Sequence, residues 1–386
     1  MIARLLLALA LGATLSAAQA ETIGLRFIVD TALGSTAGQQ QTTAKRLAGH
    51  VAELNGYFRN SEVGLAAEIV DIEFSRLESA EVMSILGDME NERRGFPDLF
   101  RRAAEYGADY TVAVVGHLLI RGKRGCGRAY AVNQTVAEIS STRRAFAAVD
   151  IACGAHTLAH ELGHLMGLNH GALVDTCAPE QGHTSAIAPY ANGYGQGPCD
   201  GRPAAGKFGT VMVGGWMKAI NGDGHSSLPL FSNPRIRDAR CGEHGICGDA
   251  LTGDAARALN ENARYYAGHE EPDVHTLRYA SPELAECIGS KYRERKVAEL
   301  DELVCPKAGI ATLAGIERLT ALKRIDLAGN LLGDADALLA LNGKAIEKID
   351  LADNPRLSCT AIDRLVQAYG RRLEASTSCT RPPLDE

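Results

Sequence analysis

Residues 160–170 read His-Glu-Leu-Gly-His-Leu-Met-Gly-Leu-Asn-His, and no other stretch of the chain restricts its fold as tightly. His160 and His164 are four apart, so a helix places them on one face, where both imidazoles reach one point. Gly167 can end that helix and let the chain reverse, which brings His170 back toward the same point. Three imidazoles on one centre form a metal-ligand set. They leave the fourth tetrahedral position to water, the arrangement of a catalytic zinc. Glu161 stands beside the first ligand, where a carboxylate can take a proton from that water. Two fixed His and one fixed Glu match a chain of this size by accident at roughly the per-cent level. The fixed Gly and third His lower that by about two further orders of magnitude. His156 lies four before His160, but Thr157 follows it. That pair lacks the adjacent carboxylate, and His156 reads as a helix-start or supporting residue. The other seven histidines, His275 among them, lack ligand spacing.

The start of the chain and its cysteines indicate a compartment. Arg4 precedes an apolar run, Leu5–Leu11, and the segment ends Ala18-Gln19-Ala20, the layout of a secretory signal with an A-x-A cleavage site. The run is too short to span a bilayer, and no later run approaches that length. The mature chain is therefore expected to be secreted, extracellular or periplasmic, with no membrane span. Removing Arg4 from 40 basic residues leaves 39 against 47 acidic, a net charge of −8. That balance argues against nucleic acid or an anionic membrane as partner. All ten cysteines lie beyond residue 20, and an even count in an exported chain implies disulfides. Neighbour pairing is the simplest arrangement: 126–153, 177–199, 241–247, 287–305 and 359–379.

Two kinds of periodicity divide the rest. Strand patterns at Thr22–Asp30, Leu65–Phe74 and Asp109–Gly116 alternate with helical patterns at Gln40–Phe58 and around Pro97–Tyr106, which predicts an α/β layer with a mostly parallel sheet. Short strands are expected at Gly127–Val132 and Phe146–Asp150, directly before the histidine helix, about Ala155 to Gly167. Asp175–Gly209 has no periodicity and reads as a disulfide-pinned loop region. Gly253–Ala267 reads as a closing helix, and Glu270–Asp273 as a linker. Beyond it, Leu322-x-x-Ile325-x-Leu327-x-x-Asn330 recurs as Ile346-x-x-Ile349-x-Leu351-x-x-Asn354, every position offset by 24, with a degenerate earlier copy at Leu300-x-x-Leu303-x-Cys305. This is leucine-rich-repeat spacing, and Cys287, Cys305, Cys359 and Cys379 flank it as caps would. The expected organisation is a signal at 1–20, a metallopeptidase domain at 21–271 and a short leucine-rich-repeat solenoid at 283–380.

The chain resembles the metzincin zinc endopeptidases, in particular bacterial reprolysin-like (adamalysin-like) members, from Thr22 to Ala267. Three pieces carry the likeness: the extended motif at His160–His170; Gly209-Thr210-Val211-Met212, which looks like the methionine turn; and Phe231-Ser232-Asn233-Pro234, which resembles a segment after that turn. The resemblance implies a mixed, mostly parallel twisted sheet of α/β (α+β) class, zinc on His160, His164 and His170, and Glu161 as catalytic base. It further implies Met212 beneath the metal, Gly127–Val132 as the edge strand that holds extended substrate, and Phe231–Pro234 walling a specificity pocket. One departure is Gly171, where reprolysins carry Asp directly after the third His. The expected activity is secreted, zinc-dependent hydrolysis of protein or peptide substrates, with a possible protein partner for the repeats. The alternative is a catalytically silent adhesin or receptor-binding protein that uses the repeats alone.

Overall fold

A computed structural model of the chain describes residues 20–130, 145–177, 186–199, 207–213, 226–268, 271–341 and 345–375. The signal segment and Cys379 therefore lie outside the described residues. Strand β1 (Glu21–Asp30) is buried on both faces over its central seven residues, so it must be covered by helices on two sides. Helix α1 (Ala37–Asn60) begins at a Thr36/Gln39 capping box and buries Leu47, Val51, Leu54 and Phe58 along one stripe. β2 (Leu65–Ser75) pairs parallel with β1. Helices α2 (Val82–Glu90) and α3 (Leu99–Tyr106) follow, then β3 (Tyr110–Val115), parallel to the other side of β1. β4 (Gly127–Ala129), β5 (Phe146–Asp150) and α4 (Gly154–Leu165) complete the layer.

The sheet order is β2-β1-β3-β5-β4. Every pairing is parallel except β4 on β5, which is antiparallel and leaves β4 as one of the two edges, its outer side unpaired among the described residues. On one face, Ile23, Leu25 and Phe27 pack with α1 and with Leu158 and Leu162 of α4. On the other, Ile28, Ala113 and Ala148 pack with α2 and α3. Arg26 on that second face is fully buried; it is neutralised by Asp71 at 3.0 Å and by Glu73, and donates to the Leu99 carbonyl. A buried guanidinium is tolerated only when its donors are filled in this way.

The structure corrects two boundaries. Two helices, not one, separate β2 from β3. α2 has no side-chain cap at Glu81 and contains Gly87, so its local signal is weak and packing of Val82, Ile85 and Met89 forms it. Of the expected edge strand, Gly127–Ala129 is formed and Tyr130 N–H still donates to the Phe146 carbonyl at 3.0 Å, while residues 131–132 lie outside the described residues. The closing helix α5 (Ala255–Asn262) starts where Asp254 caps the Arg257 N–H, and tightens into a 3₁₀ turn at Ala263–Tyr265. Disulfides 126–153, 177–199, 241–247 and 287–305 are formed as expected, and Cys359 is also disulfide-bonded.

Beyond Pro272 a second core is assembled. Helix α6 (Pro282–Lys291) precedes a parallel ladder of β6 (Glu302–Val304), β7 (Arg324–Asp326), β8 (Lys348–Leu351) and β9 (Leu373–Ala375), with α7 (Cys359–Tyr369) before the last strand. Ile325 pairs with Ile349 and Ile349 with Leu373, each 24 residues on, whereas Leu303 pairs with Ile325 at 22. The buried Asn354 amide donates to the carbonyls of Leu327 and Leu351, and its Oδ1 accepts from Leu332 N–H. Asn330 does the same one turn earlier, with Cys305, Leu327, Ala308 and Ile310. Asn354→Ala strips donors from buried carbonyls and should lower the stability of this half by about 2–3 kcal/mol. Chemical denaturation followed at the C-terminal half checks this; an unshifted midpoint would show that the amide ladder does not stabilise the stack.

Candidate metal centre and active site

β5 delivers the chain to α4 through Asp150, whose buried carboxylate accepts from Ala152 N–H at 2.8 Å and faces Arg124 at 3.3 Å. α4 is anchored by Leu158, Leu162 and Leu165 in the core, which fixes His160 and His164 on its other side. The helix stops in a Schellman turn: Leu168 N–H donates to the Gly163 carbonyl at 2.9 Å, and Gly167 N–H to that of His164 at 3.1 Å. Gly167 has φ +89°, and a Cβ there would stand 2.9 Å from Ile187 Cβ, so both backbone and space demand glycine. Asn169 then pairs with Ala191 and Gly193, which directs His170 back across α4.

The result is a tight triangle. His160 Nε2 and His170 Nε2 are 3.2 Å apart, His164 Nε2 and His160 Nε2 3.1 Å, and His164 Nε2 and His170 Nε2 3.0 Å. Ligands about 2.0–2.1 Å from a tetrahedral zinc stand roughly 3.3–3.4 Å from each other, so the donor set fits that ion with little adjustment. Two tautomers are fixed from behind: His160 Nδ1 donates to the Val211 carbonyl and His164 Nδ1 to that of Leu168, each at 3.0 Å. Each therefore presents a bare Nε2 to the centre. Desolvation pushes all three imidazoles down, His164 to about 3 with His160 adding to the effect, and His170 lower still. Neutral imidazole is the form that binds a metal.

Glu161 is buried beside this triangle, under β4. A Cβ on Gly127 would come within 2.7 Å of its Oε1, and the Ala129 backbone hydrogen-bonds the carboxylate. Burial pushes the carboxyl up to about 8, opposed by the Ala129 N–H and the charge of Arg128; a cation held by the three histidines would act in the same downward direction. Met212 is fully buried in the turn Val211–Val213 and packs so closely on α4 that a Cβ on Gly163 would meet its Sδ at 2.4 Å. The Gly171 departure has a local cause: its φ is +90°, and a Cβ would stand 2.5 Å from the Gly193 carbonyl oxygen.

The structure therefore brings together all five residues singled out in the sequence. In Phe231–Pro234, Phe231 is buried and stacks on Phe58 at 5.8 Å, while Asn233 donates to the Ser61 carbonyl, so this segment ties the turn to α1. His156 lies edge-on to Tyr57 and near the Val211 carbonyl, its ring pushed down to about 4 by burial. Gly127–Val132 was expected as the substrate-holding edge strand, but the contacts of Gly127 and Ala129 with Glu161 were not legible; a backbone N–H has no sequence signature, and the contact spans more than thirty residues of chain. His275 joins Glu105 at 3.1 Å near Asp273, but Arg101 and Lys296 already pair with those carboxylates.

Residues 44–171 match the model of the reprolysin-like metallo-peptidase family M12B, a segment that takes in β2 to β5, α4 and the three histidines. The three histidines and Glu161 all fall inside this matched segment. The chain is similar to a peptidyl-Asp metalloendopeptidase of Pseudomonas aeruginosa, 30% identical over 270 residues, which cover 66% of this chain and 42% of the relative. A protein of the same description from Stenotrophomonas maltophilia is 31% identical over 215 residues, 54% of this chain and 44% of that one. The chain thus spans less than half the length of these curated relatives. A chain in a solved chaperone–substrate complex superposes over 65% of this chain and 36% of its own, with a TM-score of 0.47 at 19% identity.

Gly127→Ala tests the packing of Glu161. The added methyl should displace the carboxylate while leaving the three histidines in place, so zinc content stays unchanged and turnover falls about 10²-fold, the scale of an ångström-level misplacement. Metal analysis alongside kcat decides it; undiminished turnover would remove Gly127 from the site.

Proposed function

We propose that the chain is a secreted endopeptidase that cleaves protein or peptide substrates, with Glu161 as general base and His160, His164 and His170 as zinc ligands. The observation that carries this reading is the triangle of Nε2 atoms, 3.0–3.2 Å on a side, set beside a buried carboxylate under a free sheet edge. The edge of β4 accepts an extended substrate segment by antiparallel pairing, the main-chain hydrogen bonds holding the scissile peptide in place. Zinc held by the three histidines supplies Lewis acidity toward water and the scissile carbonyl. Glu161 takes the proton from water and later delivers it to the leaving amine. Met212 supports the ligand helix from below. The named activity of the relatives, peptidyl-Asp metalloendopeptidase, supports a substrate class for this chain as well: peptides carrying aspartate at the cleavage site. Disulfide bonding and the signal-like first twenty residues support export.

The reading includes a division into a peptidase domain over residues 21–271 and a leucine-rich-repeat module over 283–380 that binds protein. In its favour, the two hydrophobic cores share no residue, and the second is built on the 24-residue register with its buried asparagines. Contacts between the two halves among the described residues include polar ones: Arg318 with Glu68 at 2.9 Å, His275 with Glu105, and Asp273 N–H on the Glu105 carbonyl.

The chemistry is tested by Glu161→Gln and His170→Ala together. The first should keep zinc and lose at least about two orders of magnitude in peptide cleavage; the second should lose both. Phenanthroline should silence the unsubstituted enzyme. Full cleavage after the metal is stripped would defeat the proposal. The division is tested by a chain that ends at residue 271, which should fold, hold zinc and cleave short peptides near the full-length rate. Failure to bind zinc in that chain would make the second core part of the peptidase fold.

A further inference from the structure

The three residues of β4 differ in what they face. Gly127 lies against Glu161 and Thr157, and Ala129 is buried in the core beside α4. Arg128 between them is exposed. Its backbone pairs with Ala148 inside the sheet, and its side chain makes no hydrogen bond or ion pair among the described residues. Nearby arginines are engaged: Arg124 faces Asp150, Arg26 holds Asp71 and Glu73, and Arg102 binds Glu73 at 2.6 Å. Arg128 also lies close enough to the centre for its positive charge to act on both Glu161 and His164. An unengaged guanidinium at the free edge, next to the reacting groups, lacks a structural assignment.

A substrate strand added to β4 in antiparallel pairing puts one of its side chains directly opposite Arg128, with Cβ atoms about 4.5–5.5 Å apart. A guanidinium fork matches a carboxylate in two parallel hydrogen bonds and has no acceptor for an amide NH₂. We propose that Arg128 is the specificity-determining residue that binds an aspartate carboxylate of the substrate from the free edge of β4. This rests on the reading above that the substrates carry aspartate at the cleavage site. The long Arg128 side chain facing the added strand then selects the acidic residue.

The test uses the full chain loaded with zinc and paired peptide libraries, each member carrying one Asp or, in its twin, one Asn near the scissile bond. The unsubstituted enzyme should prefer Asp over Asn by at least about tenfold in kcat/KM, the scale of a charge-assisted bidentate pair. In Arg128→Ala that ratio should collapse toward one, mainly through KM. Arg128→Lys should keep an intermediate ratio, because a point charge replaces the fork. An Arg128→Ala enzyme that slows on both libraries equally, with the ratio preserved, overturns the assignment while leaving the aspartate reading standing. An unsubstituted enzyme that cleaves zinc-dependently with no Asp preference overturns the aspartate reading, and the assignment with it.

Discussion

Three imidazole Nε2 atoms 3.0–3.2 Å apart can converge on one metal ion only while all three rings are neutral. The surroundings are arranged to keep them neutral and convergent. Carbonyls of Val211 and Leu168 take the outward N–H of two rings, desolvation disfavours the imidazolium, and the Schellman turn at Gly167 fixes the direction from which His170 arrives. The turn carrying Met212 serves this centre twice, since the residue before it supplies the carbonyl for His160 and Met212 itself packs against Gly163. The triangle is thus a product of backbone geometry at two turns far apart in sequence.

The sheet contributes the second requirement, a place beside the triangle where a peptide can be held. Four parallel strands alone would be covered on both faces and closed by their helices. Reversal of the chain into β4 gives the layer an antiparallel edge, and the same three residues shape the carboxylate beneath it. Gly127 leaves room for Glu161, Ala129 donates to it, and the positive charge of Arg128 favours its ionised form.

Legibility followed the range of the interaction. α4 and its reversal could be read because the period of 3.6 and the glycine both act within eleven residues. The 24-residue stack could be read because each unit repeats its own buried asparagine. β9 escaped notice, since Leu373 closes the ladder without an asparagine turn of its own, and α2 did so because its caps are weak and its glycine is internal. The partners of Glu161 are backbone atoms and missing side chains contributed from another strand. The Gly171 departure was visible but had no explanation until the Gly193 carbonyl was found where a Cβ would have to stand.

Cys126 immediately precedes β4 and Cys153 immediately precedes α4, and the two are bonded. The strand that would receive substrate and the helix that carries two of the histidines are therefore riveted at their shared corner. Such a rivet forms only where thiols are oxidised. A freshly made copy in a reducing cytosol has the same amino acids but lacks this fastening between strand and helix.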